Sequence, residues 1–160
     1  MQAEIFFPSG FFFGMVFHPC FPAFTGGRIA AALTQVPGSS QSFIGGVIAY
    51  RDTVKILQLG VEATTIERTG AVSEETARAM ARGVRVRLGS DVGFSTTGIA
   101  GPSGGTPEKP VGLLWFGLDD ANGVSSAWRF QLSGERQTIA SRATSIALGI
   151  LWRHLRNQSS

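Results

Sequence analysis

The stretch Ser73-Glu74-Glu75-Thr76-Ala77-Arg78-Ala79-Met80-Ala81-Arg82-Gly83-Val84-Arg85-Val86-Arg87-Leu88, then Gly89-Ser90, then Asp91-Val92-Gly93-Phe94-Ser95-Thr96-Thr97, decides the class of fold. Ser73 is a favoured helix N-cap, and Glu74 and Glu75 suit the positive end of a helix dipole. Ala77, Met80, Ala81, Val84 and Leu88 recur at the 3–4 spacing of a buried helical stripe, and Arg78, Arg82, Arg85 and Arg87 fall largely off it. Asp91 to Thr97 reads as a strand that runs into a Gly-Pro loop, Gly98 to Pro110. A helix feeding a strand that ends in a flexible loop is the repeating unit of α/β proteins.

The same reading extends both ways along the chain. Upstream, Ala63 to Thr69 and Asp52 to Leu59 are short helices stopped by Gly70 and Gly60. Phe43 to Tyr50, rich in β-branched and aromatic residues, is a strand. Thr25-Gly26-Gly27 opens a helix through Val36, which Pro37-Gly38-Ser39-Ser40 ends. Phe11 to Phe17 is a candidate first strand. Downstream, Val111 to Leu118 and Val124 to Leu132 are strands joined by Asp119-Asp120-Ala121-Asn122-Gly123, an antiparallel hairpin with Asn-Gly at its turn. Gly134 starts a long last helix with Ile139, Ala143, Ile146, Ala147, Ile150 and Leu151 on its core face. The expected fold is one three-layer α/β domain, a mixed β-sheet flanked by helices, over residues 25–157. An atypical segment, residues 1–24, precedes it and supplies the first strand.

Bulk properties narrow the function. A chain of 160 residues with 43% hydrophobic and 16% charged content is globular. The single cysteine, Cys20, excludes an internal disulfide framework and a cysteine zinc site, and suits a reducing, cytoplasmic compartment. His18 and His154 have no metal-ligand spacing, so no metal is expected. Twelve of the fourteen basic residues are Arg, which suits a small anionic ligand. They form no basic stripe with interleaved aromatics, so nucleic acid is not an expected partner. Residues 1–24 hold eight of the twelve Phe but no Lys or Arg, and Pro8, Pro19 and Pro22 cut them into short runs. Neither a signal peptide nor a membrane span is expected there.

Three clusters carry possible chemistry. Thr25-Gly26-Gly27 at a helix start presents backbone N–H groups to an anion or oxyanion, although two glycines at a helix start are also ordinary. Tyr50 and Lys55 follow a strand. Lys55 is one of two lysines in the chain; in a partly dry pocket it is a base, and on an exposed helix face it is only a solvated charge. The run Thr97-Gly98-Ile99-Ala100-Gly101-Pro102-Ser103-Gly104-Gly105-Thr106-Pro107-Glu108-Lys109-Pro110-Val111-Gly112 fits neither a P-loop nor a dinucleotide fingerprint. Its glycines let backbone approach a ligand closely.

Taken together, these motifs resemble the CinA C-terminal domain family, the nicotinamide-nucleotide amidohydrolases. The resemblance rests on Val36-Pro37-Gly38-Ser39-Ser40, Phe43-Ile44-Gly45-Gly46-Val47-Ile48-Ala49-Tyr50, Lys55, Gly70-Ala71-Val72-Ser73-Glu74-Glu75, the Thr97–Gly112 loop and Gly134-Glu135-Arg136. It implies hydrolysis of nicotinamide mononucleotide to nicotinic acid mononucleotide and ammonia, with no metal or organic cofactor. It implies a serine nucleophile activated by a lysine, with a tyrosine nearby; Tyr50 and Lys55 match the latter two. Gly26, Gly27, Thr97, Gly98, Ala100, Gly101, Pro102, Gly104 and Gly105 match the substrate wall, and Arg136 matches an arginine suited to the ligand's phosphate. A homodimer is a further expectation from the resemblance.

One position departs. The family's Glu-Ser-Cys-Thr-Gly-Gly is here Pro22-Ala23-Phe24-Thr25-Gly26-Gly27, so Ala23 occupies the nucleophile position. Three accounts are open: an altered upstream reading frame, a chain that binds a mononucleotide or a protein partner without turning anything over, or a substitute nucleophile such as Thr25 or Cys20.

Overall fold

The computed structural model describes residues 25–158 and, upstream of them, the backbone of Phe13–Phe17. Five strands, β1 (Phe13–Phe17), β2 (Phe43–Ile48), β3 (Val92–Gly98), β4 (Leu113–Asp120) and β5 (Ser125–Gln131), form one sheet in the order β2-β1-β3-β4-β5. β1 runs parallel to β2 and to β3, whereas β4 is antiparallel to both β3 and β5. The helices are α1 (Arg28–Thr34), α2 (Asp52–Leu59), α3 (Ala63–Thr69), α4 (Glu74–Leu88) and α5 (Arg136–Gln158).

Alternation along β3 sorts the layers. Val92 and Phe94 enter a core shared with Ile29 and Leu33 of α1 and Ile139, Ala143 and Ala147 of α5. Phe94 stacks on Phe116 of β4 at 5.7 Å between centroids, and Phe130 of β5 meets Phe116 edge-on at 5.6 Å. On the other face, Gly93, Ser95 and Thr97 carry little bulk, so α4 settles close to the sheet. Ser95 Oγ donates to Ala77 O of α4 at 2.6 Å. A second core joins α2 to α4 through Leu59, Val61, Met80 and Val84. The result is the three-layer mixed α/β domain expected. Among the described residues, no helix is long and apolar enough to cross a membrane.

The sequence boundaries hold to the residue for α2 and α3 and shift elsewhere for physical reasons. α1 begins at Arg28 rather than Thr25 because Gly26 and Gly27 take φ of 52° and 84°, outside the helical range. It stops at Thr34, before Val36. β4 runs to Asp120, so Asp119 and Asp120 lie in the strand and not in the turn, and both are buried. Asp120 Oδ1 accepts the backbone N–H groups of Asn122 and Val124, each at 2.9 Å, which closes the hairpin. Its Oδ2 accepts from Gln158 Nε2 at 2.7 Å and lies 3.0 Å from His154 Nε2. The His154 side chain is only 15% exposed. It ties α5 to the hairpin. Ile146 and Ile150 lie at the margin of the core face, half-buried, whereas Leu155 is buried.

Candidate functional site

The sheet order points to one end of the sheet before any side chain is considered. The chain leaves β1 toward β2 on the α1 side, and it leaves β3 toward β4 through the Gly-Pro loop. Adjacent parallel strands whose exits diverge open a crevice at their carboxyl ends, where α/β proteins bind ligands. In register, Phe17 of β1 lies beside Ile48 of β2 and Thr96 of β3. Thr25-Gly26-Gly27, Tyr50 and the Thr97–Gly112 loop lie toward this end of the sheet, with Gly27 close to Ile48 at the end of β2. Ala23, Phe24 and Cys20 lie outside the described residues.

Lys55 is the least ordinary side chain of this edge. It stands one turn into α2 with a relative exposure of 0%, so the solvated-lysine alternative does not hold. A buried ammonium needs a charged partner. Lys55 Nζ donates to Asp52 Oδ1, and the Asp52 side chain remains 52% exposed. The pair thus runs from the interior to the surface at the start of α2. Tyr50 is half-buried and lies between β2 and α2.

Three contacts fix the Gly-Pro loop. Gly112 N donates to Ile99 O at 2.7 Å, closing its base. Arg136 Nη1, at the first residue of α5, donates to Gly101 O at 2.8 Å. Lys109 Nζ donates to Thr69 O at 2.6 Å, fastening the far end to α3. Between these points, Pro102 to Glu108 are exposed, and the Gly101–Pro102 peptide is cis. The Glu108 carboxyl is held below its ordinary range, first by a backbone N–H at Glu108 and then by the Thr106 hydroxyl. Arg136 thus meets the loop's backbone directly.

Thr97 does not offer its hydroxyl to a ligand. Thr97 Oγ1 donates to Ala71 O at 2.7 Å, so its hydroxyl is engaged with the loop before α4. Ala100 and Gly101 are buried, whereas Gly104 and Gly105 are exposed. Thr25 is fully buried, and its Oγ1 has no hydrogen-bond partner. A hydroxyl nucleophile needs a base within hydrogen-bond reach, and no described residue supplies one to Thr25 in this conformation. No group of three or more His, Cys, Asp or Glu that could hold a metal ion occurs among the described residues.

Sequence reasoning missed Asp52 and Lys109. The i, i+3 spacing of Asp52 and Lys55 on one helix was a usable signal. Lys109 had a weaker one, as the only other lysine of a chain that otherwise uses arginine.

A second concavity, about 810 Å³, lies at the opposite, amino end of β3 between α4 and the β4–β5 hairpin. Two of its arginines are already engaged, Arg78 with Glu74 and Arg85 with Asp119.

Known proteins share this fold and much of its sequence. A family model described as the CinA C-terminal domain matches residues 22–155, a range that includes Ala23. A CinA-like protein of Gemmatimonas aurantiaca is 53% identical over 129 residues, covering 81% of this chain and 30% of the relative. A CinA-like protein of Kosmotoga olearia is 48% identical over 131 residues, covering 82% and 32%. The chain thus spans about a third of the length of these relatives. Among solved structures, the competence/damage inducible protein CihA of Agrobacterium tumefaciens superposes with a TM-score of 0.87 at 33% identity, covering 97% of each chain. The competence damage-inducible protein A of Klebsiella pneumoniae gives 0.84 at 29% identity, covering 92% of this chain and 88% of that one.

Proposed function

The chain belongs to the CinA C-terminal domain family, and on that premise we propose that it binds nicotinamide mononucleotide at the carboxyl ends of β1 and β3, in an amidohydrolase site whose turnover Ala23 impairs. The observation that carries this reading is Lys55, fully buried and paired with Asp52 at that edge. A buried charge costs stability unless it is matched, and such groups concentrate where chemistry is done.

The proposed reaction is acyl transfer. A hydroxyl adds to the carboxamide carbon as Lys55, in its neutral amine form, takes the proton. Backbone N–H groups hold the oxyanion, ammonia leaves with a proton relayed past Tyr50, and water releases the acid. Gly26 and Gly27, whose positive φ values turn their peptides out of the helix, suit the oxyanion role. Arg136 supplies positive charge for the phosphate at the place where it also holds Gly101.

Each of these roles except the first survives in this chain. The methyl group of Ala23 cannot add to a carbonyl, so hydrolysis is impaired while the groups proposed to bind the ligand remain. Calorimetric titration with nicotinamide mononucleotide tests the reading. The unaltered chain should bind it saturably, and Lys55→Met should bind it about tenfold more weakly or worse. A well-folded, unaltered chain that gives no binding at millimolar ligand removes the reading.

A further inference from the structure

Three consecutive hydroxyl residues end β3, and they do not share one fate. Ser95 Oγ donates to Ala77 O at 2.6 Å, and Thr97 Oγ1 donates to Ala71 O at 2.7 Å. Both turn to the α4 side and complete the packing there. Alternation turns Thr96 to the opposite face, where it pairs in register with Phe116 and follows Phe94. Thr96 is 0% exposed, and its Oγ1 has no hydrogen-bond partner. Buried hydroxyls are nearly always partnered, because an unmet one loses its water without replacement. A valine of the same shape would avoid that loss.

Thr25 shows the same anomaly on the same side of the sheet. It is 0% exposed with an unpartnered Oγ1, and its carbonyl accepts from Arg28 N at 2.7 Å as α1 begins. Ile29 and Leu33 of α1 pack in the core that holds Phe94 and Phe116. Thr25 and Thr96 therefore bring two unmet hydroxyls to one layer, at the carboxyl end of β3.

We infer that Thr96 and Thr25 form an uncharged hydrogen-bonding floor that takes the carboxamide of the ligand and not its phosphate; this rests on the function proposed above. The surroundings are apolar, built from Phe94, Phe116 and Ile29, so an anion there would be costly. A carboxamide is neutral and offers one acceptor and two donors, and a threonine hydroxyl can answer either kind. These are positioning residues. They hold the amide so that its carbonyl carbon faces the nucleophile position.

The test uses the unaltered chain, Thr96→Val, Thr25→Val and Thr96→Ser, with nicotinamide mononucleotide and ribose 5-phosphate as calorimetric probes. Each valine variant should bind the mononucleotide about tenfold more weakly, bind ribose 5-phosphate unchanged, and melt no lower than the unaltered chain. Thr96→Ser should recover the mononucleotide affinity. A purely structural hydroxyl would instead lower the melting temperature and leave both affinities alone. The inference is overturned if both valine variants bind the mononucleotide as the unaltered chain does, or if ribose 5-phosphate weakens equally. It is also overturned if Thr96→Val fails to fold and Thr25→Val binds normally. In those cases the unaltered chain still binds the mononucleotide and the proposed function stands; if the unaltered chain binds neither probe, both fall.

Discussion

Ala23→Ser combined with Phe24→Cys is expected to raise ammonia release from nicotinamide mononucleotide by on the order of 10²-fold or more over the unaltered chain. The expectation rests on register. Thr25-Gly26-Gly27 fixes the count back to position 23, which lies within the matched residues 22–155. Serine alone restores the attacking atom; cysteine at 24 removes the phenyl bulk beside it. Adding Lys55→Ala to the double variant should return ammonia release to background, because an unactivated serine hydroxyl is a weak nucleophile. If the restored chain binds the mononucleotide but releases no ammonia, Lys55, Tyr50 and the loop are not a working site. Strong ammonia release from the unaltered chain would be an equally clear result against Ala23 as the defect, and would point to another nucleophile.

Gly117→Val is expected to destabilise the fold by about 3 kcal/mol or more, a large fraction of an ordinary domain's stability. Gly117 sits in β4 under α4, and a Cβ placed there would overlap Ala77 O and crowd Ser95 Oγ. Gly93 in β3 is limited in the same way by Ala81 O. Neither overlap can be relieved by a side chain, because the opposing atoms are helix backbone. α4 would have to lift from the sheet, breaking the 2.6 Å bond from Ser95 to Ala77 and opening the core around Met80 and Val84. Urea unfolding followed by circular dichroism measures the effect. A loss below 1 kcal/mol would mean that α4 does not lie as close to β3 and β4 as described.

Much of this fold is legible in the residues, and the reasons differ by element. α2 and α3 are short, and Gly60 and Gly70 mark their ends, so their limits follow from local chemistry alone. The Ala77–Val84 stripe announces α4 because a buried helix face has to repeat at its own period. The hairpin was placed correctly and its strand cut short, because two aspartates look like turn residues until partners are known. Asp120 becomes a strand residue through Asn122, Val124, His154 and Gln158; two of those contacts span two and four residues, and two reach across the fold to α5. No local pattern displays the last kind. The candidate site divides in the same way. Motif order grouped Thr25, Tyr50, Lys55 and the Gly-Pro loop, and sheet topology brings them to one edge. Burial of Lys55, engagement of Thr97 with Ala71 and the unmet hydroxyl of Thr96 depend on which face each residue takes, which only the packed layers decide.

The proposed function puts a mononucleotide at the carboxyl ends of β1 and β3. A crystal structure of the chain with nicotinamide mononucleotide tests it most directly. The ligand is expected beneath the Gly98–Gly112 loop, with its phosphate toward Arg136 and its carboxamide toward Thr96, Thr25 and Lys55. A ligand seated instead in the α4 groove beside Arg82, or a crevice left empty at saturating ligand, would contradict it.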